Sequence, residues 1–301
     1  MKIIDIKGLS QADPYIIMSD GKYYIYCTGE KGVHCYKSND LFNGWQYVGV
    51  VFSQEGQKGF WAPSVLERNG KYFMYYSSMP SVETDTHTEN IKLAVCDAPD
   101  GKFEFVKDML PPFSIDPHVV ENSKGLWMFY SQNKYEGDKV GTYIVVDKMT
   151  DEYTLEENPV AVVEPSLEEE VFQKDRFKKG QDWYTIEGAY YFKKDGWHYC
   201  IYSANCYFKP TYHLGYAAVK SDSDQLNKLL FVKHSADKFD PLLCSDDKEI
   251  STGHNSLIEC DGQLYVVYHG RDALSDCHKD DRTARVCKLF AENGVLHVEK
   301  M

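Results

Sequence analysis

The chain has 301 residues, a formal net charge of −13 and a hydrophobic fraction of 43%. The acid excess argues against a nucleic-acid partner, which would need a basic face, and against an anionic membrane surface. No apolar stretch has the roughly 20 residues of a transmembrane helix.

Nine cysteines without a CxxC pair predict free thiols. Residues 1–7 lack the apolar core of a signal peptide. We therefore expect a cytoplasmic protein, although a secreted chain without its signal peptide would have the same composition.

A short pattern recurs five times along the chain, and each copy consists of an extended run, a tight turn and a second run rich in aromatic and β-branched residues. The turns are Asp20-Gly21, Asn69-Gly70, Lys124-Gly125, Asp195-Gly196 and Asp261-Gly262. Asp-Gly and Asn-Gly supply the positive φ angles that two-residue hairpin turns need. The pattern therefore predicts five β-hairpins.

Further strand-like runs follow the hairpins. Examples are residues 32–36, 91–95, 141–146 and 214–219, with outer strands at 45–49 and 103–106. Residues 283–298 supply the strands that complete the last unit. Repeats of 40–50 residues with about four antiparallel strands are typical of propeller blades. We predict an all-β fold, a five-bladed β-propeller with four antiparallel strands per blade, as one domain over residues 1–301. The polar stretches 164–183 and 221–250 are predicted surface loops, and so is 277–282, whose spacing matches no zinc site.

The five repeats share a marker position when they are aligned on their turns. It is occupied by Asp13, Ala62, Asp116, Glu187 and His254. The first strand of each propeller blade lines the central channel, so these positions should converge. Proline follows both aspartates, and we expect it to hold each of them in an extended conformation.

Three grouped carboxyl groups favour two kinds of chemistry. They could bind a hard cation through oxygen, or they could divide acid and base roles between them. Cleavage of a glycosidic bond needs one protonated carboxyl group and one carboxylate, about 6.5–9.5 Å apart when water attacks directly and the configuration inverts. Glu187 has the longer reach and suits the acid role, Asp13 is then the base, and Asp116 tunes Glu187 and orients sugar hydroxyls.

Seven short motifs, weak one by one, are specific in their order and spacing. They are Ala12-Asp13-Pro14-Tyr15, Ser38-Asn39-Asp40-Leu41, Phe60-Trp61-Ala62-Pro63, Ile115-Asp116-Pro117, Ile186-Glu187-Gly188, Gly253-His254-Asn255-Ser256 and Tyr268-His269-Gly270-Arg271. Over residues 10–298 the chain resembles glycoside hydrolase family 43, the five-bladed propeller α-L-arabinofuranosidases, β-xylosidases and arabinanases. The resemblance implies inversion, with Asp13 as general base, Glu187 as general acid and Asp116 as pKa modulator.

The resemblance also implies roles for three other residues. Arg271 would contact the substrate, and Trp61 would form an apolar wall against the sugar. His254 would bind substrate at the channel, where the matching histidine of arabinanase relatives helps to hold a calcium or other ion. We expect that no cofactor is required. A Ca²⁺ ion in the central channel is an optional addition that the resemblance implies.

The predicted function is release of terminal pentose, α-L-arabinofuranose or β-D-xylose, from arabino- or xylo-oligosaccharides. Two alternatives stay open at this point. A glycoside phosphorylase would need a cationic phosphate pocket near the carboxylates, for which Arg271 is the one candidate. A non-catalytic sugar-binding propeller would bind pentose without turnover.

Overall fold

The computed structural model describes all 301 residues and consists of 22 β-strands and three single-turn 3₁₀ helices. The first unit contains β1 (Tyr15–Ser19), β2 (Lys22–Cys27), β3 (Val33–Ser38) and β4 (Gln46–Phe52). The second contains β5 (Gln57–Arg68), β6 (Lys71–Pro80), β7 (Asn90–Cys96) and β8 (Glu104–Asp108). The third contains β9 (Ser114–Asn122), β10 (Gly125–Lys134), β11 (Val140–Asp151), β12 (Thr154–Leu155) and β13 (Val160–Val163). The fourth contains β14 (Val171–Lys178), β15 (Gln181–Lys194), β16 (Trp197–Ala204), β17 (His213–Lys220) and β18 (Val232–Lys233). The fifth contains β19 (Glu249–Cys260), β20 (Gln263–Asp272), β21 (Thr283–Glu292) and β22 (Val295–Lys300). The 3₁₀ helices are Thr86–Thr88, Glu168–Glu170 and Leu226–Lys228.

The sheets follow the repeats of the sequence. Units one, two and five are separate four-stranded sheets whose neighbouring strands pair in an antiparallel manner. Units three and four share one ten-stranded sheet, because β11 and β15 pair in parallel over a short stretch from Val140 opposite Trp183 to Thr142 opposite Thr185. In unit three the outer position is filled by the two short strands β12 and β13, which both pair with β11.

The units close into a ring. The innermost strands β1, β5, β9, β15 and β19 each contact the next, and β19 contacts β1. The N-terminal segment extends the last blade, since Ile3 N–H donates to Ala284 O at 3.1 Å and Val286 N–H donates to Met1 O at 2.8 Å. The predicted all-β propeller is confirmed, and the ring brings the first strands of all five units to one axis.

Five hydrophobic clusters hold the ring together, one between each pair of neighbouring blades. Each contains 11 to 14 buried residues, with fully buried aromatic side chains such as Tyr26 and Trp127. Burying such a side chain stabilises the fold by about 1.5–3 kcal/mol. All nine cysteines are free thiols, as predicted. The inner strands are therefore fixed from both flanks of every blade.

The predicted loop 164–183 contains one strand that the sequence analysis missed. Strand β14 forms a hairpin with the start of β15 and has no equivalent in the other units. Its sequence, VFQKDRFK, is mostly exposed and charged, so it lacks the alternation of a half-buried strand. No helix of the chain has the length and apolar character needed to cross a bilayer.

Candidate active site

The marker positions share an unusual backbone conformation. Left-handed φ angles occur at Asp13 (52°), Ala62 (43°), Asp116 (55°), Gly188 (63°) and His254 (48°). The expected extended conformation before proline is therefore wrong for both aspartates. In β5, β9, β15 and β19 the strand register breaks at this point, and such bulges re-aim side chains. In the fourth repeat the equivalent residue is Gly188, so Glu187 lies one position earlier than the turn alignment predicted.

Side chains at the ends of the second strands hold these turns. Thr28 Oγ1 accepts a hydrogen bond from Ala62 N–H at 2.8 Å, and Ser203 Oγ accepts one from His254 N–H at 2.7 Å. His269 Nδ1 accepts one from Asp13 N–H at 3.1 Å. Each bond joins one blade to the marker residue of the next. The strained conformations are thus held by neighbours, which a left-handed non-glycine residue requires.

Around Asp116 this pattern changes. The equivalent hydroxyl groups of Ser77 and Ser131 are buried without a partner. The backbone N–H of Gly188 donates instead to Asp116 Oδ2 at 3.1 Å. Gly188 could not be replaced by a larger residue, since an added Cβ would lie 3.1 Å from the ring of His254 and its φ is positive. Asp116 therefore holds the backbone next to Glu187.

Asp13 lies among positive and hydrogen-bonding groups. Its Oδ1 is 3.4 Å from Arg282 Nη1, 3.5 Å from His254 Nδ1 and 3.1 Å from His269 Nδ1, and Thr28 Oγ1 donates to Oδ2 at 2.6 Å. Burial alone would raise the pKa of Asp13, but the charges of His254 and Arg282 outweigh burial and hold it well below its usual range. Burial lowers the pKa of His254 itself. At neutral pH the lasting positive charge is therefore that of Arg282.

Glu187 has the opposite environment. Burial raises its pKa to about 7, the neighbouring charge of Asp13 adds to this, and a hydrogen bond from Tyr212 OH to Oε1 at 2.8 Å opposes it. Burial also raises the pKa of Asp116 well above its usual range, together with the nearby charges of Glu187 and Asp13. The site thus contains one ionised carboxylate and two carboxyl groups that favour the protonated form.

These groups line a cavity of about 280 Å³ at one end of the ring. Of the sequence-predicted residues, the cavity brings together Asp13, Asp116, Glu187, Trp61 and His254. Aromatic side chains form much of the remaining wall: Phe113, Phe172, Trp183, Tyr207, Phe208 and Tyr212. The arrangement can hold a small polar ligand with one acidic and one basic carboxyl group beside it.

The predicted substrate contact of Arg271 requires a correction. Its side chain is fully buried, does not line the cavity, and donates to Lys279 O at 3.3 Å, Tyr207 O at 2.8 Å and Asp281 Oδ1 at 3.1 Å. It braces the loop that follows β20. Two other arginines line the cavity, Arg176 and Arg282. The one beside Asp13 is Arg282, at the end of that loop, in a segment that we expected to be only solvated. Arg282 bonds Asp280 at 2.8 Å as well as Asp13.

No three side chains of His, Cys, Asp or Glu are grouped so that they could hold a metal ion. The acidic neighbour of His254 is Asp13, whose oxygens already contact Thr28 and Arg282. Ca²⁺ takes six to eight oxygen ligands, and the side chains around His254 do not supply such a shell. Calcium at the channel stays a prediction.

Sequence reasoning missed four residues that contact the catalytic carboxylates, namely Thr28, Tyr212, His269 and Arg282. Thr28 could have been found, because it shares its repeat position with Ser77, Ser131, Ser203 and His269. Tyr212 and Arg282 come from loops without an equivalent in other blades, so no repeat signal identifies them.

Comparisons with known proteins agree with this geometry. The sequence model of glycosyl hydrolases family 43 matches residues 6–294. The chain is 25% identical over 307 residues to a xylosidase/arabinosidase of Thermoclostridium stercorarium, covering 87% of this chain but 58% of that protein. It is 25% identical over 299 residues to an extracellular exo-α-(1→5)-L-arabinofuranosidase of Cellvibrio japonicus, covering 90% and 81%.

Two solved structures are similar over almost their whole length. A thermostable family-43 glycoside hydrolase has a TM-score of 0.82 and 27% identity, with 100% of this chain and 96% of that chain covered. An endo-1,4-β-xylanase from Bacteroides thetaiotaomicron has a TM-score of 0.78 and 27% identity, with 97% and 95% covered. With its ring of blades, its three converging carboxyl groups and a family match over nearly all residues, the chain belongs to glycosyl hydrolases family 43.

Proposed function

We propose that this protein is an inverting glycoside hydrolase that releases terminal pentose, α-L-arabinofuranose or β-D-xylose, from short arabino- or xylo-oligosaccharides. One observation carries the proposal. Two carboxyl groups of one cavity, Asp13 and Glu187, have pKa values displaced in opposite directions. Such a pair supplies the base and the acid that hydrolysis of a glycosidic bond needs.

In the proposed mechanism the two groups act on opposite sides of the scissile bond. Glu187, protonated up to about pH 7, donates its proton to the leaving oxygen as the bond to the anomeric carbon breaks. Asp13, ionised, takes a proton from the water whose oxygen attacks that carbon. Arg282 keeps Asp13 ionised, and Tyr212 orients Glu187 through its hydroxyl group. Asp116 positions the acid by holding Gly188, the next residue in the chain.

The substrate class rests on three further observations. Relatives at 25% identity are named xylosidase/arabinosidase and exo-α-(1→5)-L-arabinofuranosidase. The cavity is small and bounded by Trp61, whose indole suits the apolar face of a sugar ring. Nine free cysteines are typical of a reducing compartment, which supports the cytoplasm as the location and imported oligosaccharides as the substrate.

The test is a panel of nitrophenyl pentosides together with arabino- and xylo-oligosaccharides, with the anomer of the first product read by NMR. We expect turnover with inverted configuration. Glu187→Gln should lose far more activity on oligosaccharides than on activated aryl pentosides, because only the former need proton donation. A retained configuration, or equal losses on both substrates, would contradict the proposal.

The same panel separates the two alternatives. A phosphorylase would require phosphate for turnover. We expect no such requirement, because Arg282, the arginine in contact with the catalytic base, already bonds Asp13 and Asp280. A sugar-binding propeller would bind arabinose or xylose in a calorimeter and hydrolyse no pentoside.

A further inference from the structure

One cation in the cavity lacks an acidic partner. The chain has five arginines, and four of them form ion pairs with carboxylates, namely Arg68, Arg271, Arg282 and Arg285. Arg176 forms none, although its side chain lines the active-site cavity. The carboxylate whose charge raises the pKa of Arg176 is Asp85, and Asp85 is already paired with His87 Nδ1 at 2.7 Å.

Aromatic rings surround this guanidinium group. Its carbon lies 4.8 Å from the ring centre of Phe172, 5.1 Å from that of Phe177 and 5.3 Å from that of Trp183. These faces hold the cation at the cavity rim and remove part of its water. Arginine in such a setting presents a planar fork of N–H donors that matches a carboxylate.

The position of Arg176 relative to the acid indicates which part of a substrate it would meet. Arg176 lies on β14, which pairs with β15, the strand of Glu187. Along β15 the side chains of Glu187, Thr185 and Trp183 all line the cavity, as alternate residues of a strand do. They form a path of about 13 Å from the acid to the rim, at about 3.3 Å per residue. Because Glu187 protonates the leaving oxygen, this path accommodates the leaving group.

We propose that Arg176 binds a carboxylate on the leaving group, so that the enzyme prefers pentosides attached to a uronic acid over those attached to a neutral sugar. This inference rests on the proposed hydrolase function, because it names the substrate of that same site. The planar fork of a single guanidinium group matches the two oxygens of one carboxylate. The faces of Trp183 and Phe172 suit the ring of the uronate.

The experiment compares two disaccharides that carry the same terminal pentose on either a hexuronate or the corresponding hexose. For the wild type at low salt we expect kcat/KM to be at least about tenfold higher for the uronate, as a charge-assisted hydrogen bond implies. Arg176→Gln should bring the ratio to about one, and Arg176→Lys should leave an intermediate ratio. Lys179→Gln removes a charge from the exposed turn of the same hairpin and should keep the wild-type ratio. A wild-type ratio near one, or a preference that survives Arg176→Gln, overturns the inference.

A binding measurement separates this inference from the proposed function. Free hexuronate and free hexose are titrated calorimetrically into Glu187→Gln and into Glu187→Gln with Arg176→Gln. We expect tighter binding of hexuronate to the first protein and no preference in the second. If neither disaccharide is hydrolysed, the proposed function fails while this titration still decides the role of Arg176. Inorganic phosphate that displaces hexuronate at equal concentration would overturn the assignment to a carboxylate. Melting temperatures of all variants check folding.

Discussion

Asp13 and Glu187 line one cavity, yet their surroundings differ. Asp13 is within 3.4 Å of the permanent cation of Arg282 and accepts a hydrogen bond from Thr28. Glu187 receives one neutral hydroxyl group, that of Tyr212. Burial raises the pKa of both carboxyl groups, and only Asp13 has enough positive charge nearby to reverse the effect. The lesson is that neighbouring charge, more than burial or residue type, separates the base from the acid.

The largest expected effect comes from removing the ionised member of the pair. Asp13→Asn keeps the shape of the side chain but cannot take a proton from water. We expect kcat to fall by about 10³-fold or more on activated and unactivated substrates alike, the range of general-base catalysis. Steady-state kinetics on an aryl pentoside and on an oligosaccharide measure this. Activity within tenfold of the wild type in a folded variant would remove Asp13 from the role of base.

A second change removes the positive charge that distinguishes the surroundings of Asp13 from those of Glu187. Arg282 lowers the pKa values of both Asp13 and Glu187, so Arg282→Gln should raise both. The active plateau lies between these two pKa values, and the whole pH profile of kcat/KM should therefore move to higher pH. At acidic pH we expect a loss of about tenfold or more, because one pKa unit is a factor of ten in the ionised fraction.

Arg68→Gln is the matched control for this change. Arg68, at the end of β5 in the second unit, pairs with Glu121 and Glu152 of the third unit and lies outside the cavity. Its substitution should leave the pH profile in place. A shift of equal size in both variants would mean that net charge, not the contact with Asp13, sets the profile.

A smaller change affects the pKa of Glu187 alone. The hydroxyl group of Tyr212 lowers the pKa of Glu187 by bonding its charged form. Tyr212→Phe should raise that pKa above about 7 and move only the alkaline limb upward, by up to about one pH unit. Tyr36→Phe is the control, since the Tyr36 hydroxyl group is buried without a partner in the first blade. An alkaline limb that moves downward, or an acid limb that moves as well, would contradict this picture.

Glu89 extends the comparison to a carboxyl group that should change activity least. It is fully buried, neither oxygen has a hydrogen-bond partner, and burial raises its pKa to about 9. Because the folded-state pKa exceeds the unfolded one, the stabilising effect of the bound proton is complete below about pH 4.5 and declines as the pH rises towards 9.

Glu89→Gln should abolish this decline. We expect the variant to be more stable than the wild type at pH 8.5, by about 2 kcal/mol, and to gain less at pH 5. Urea unfolding at the two pH values measures the difference. If the wild type and Glu89→Gln have the same free energy of unfolding at both pH values, this carboxyl group is solvated.

Much of the fold and part of the site could be predicted from the repeated pattern. The hairpin turns identify five units, and circular closure then brings Asp13, Asp116 and Glu187 together. The one-residue offset of Glu187 was not predictable from turn spacing, because the bulge that sets it depends on the left-handed conformation of Gly188. Arg282 and Arg176 belong to a loop and to an added hairpin, whose positions depend on tertiary contacts rather than on the repeat.

The central claim is that one cavity holds an ionised Asp13 and a protonated Glu187 at the same pH. It can be tested by ¹³C NMR titration of protein labelled at the carboxyl carbons, with Asp13→Asn and Glu187→Gln used to assign the two signals. The account predicts that Asp13 remains ionised well below pH 3.8 and that Glu187 titrates near pH 7. Titration of both groups near their ordinary values, or of Asp13 above Glu187, would contradict it.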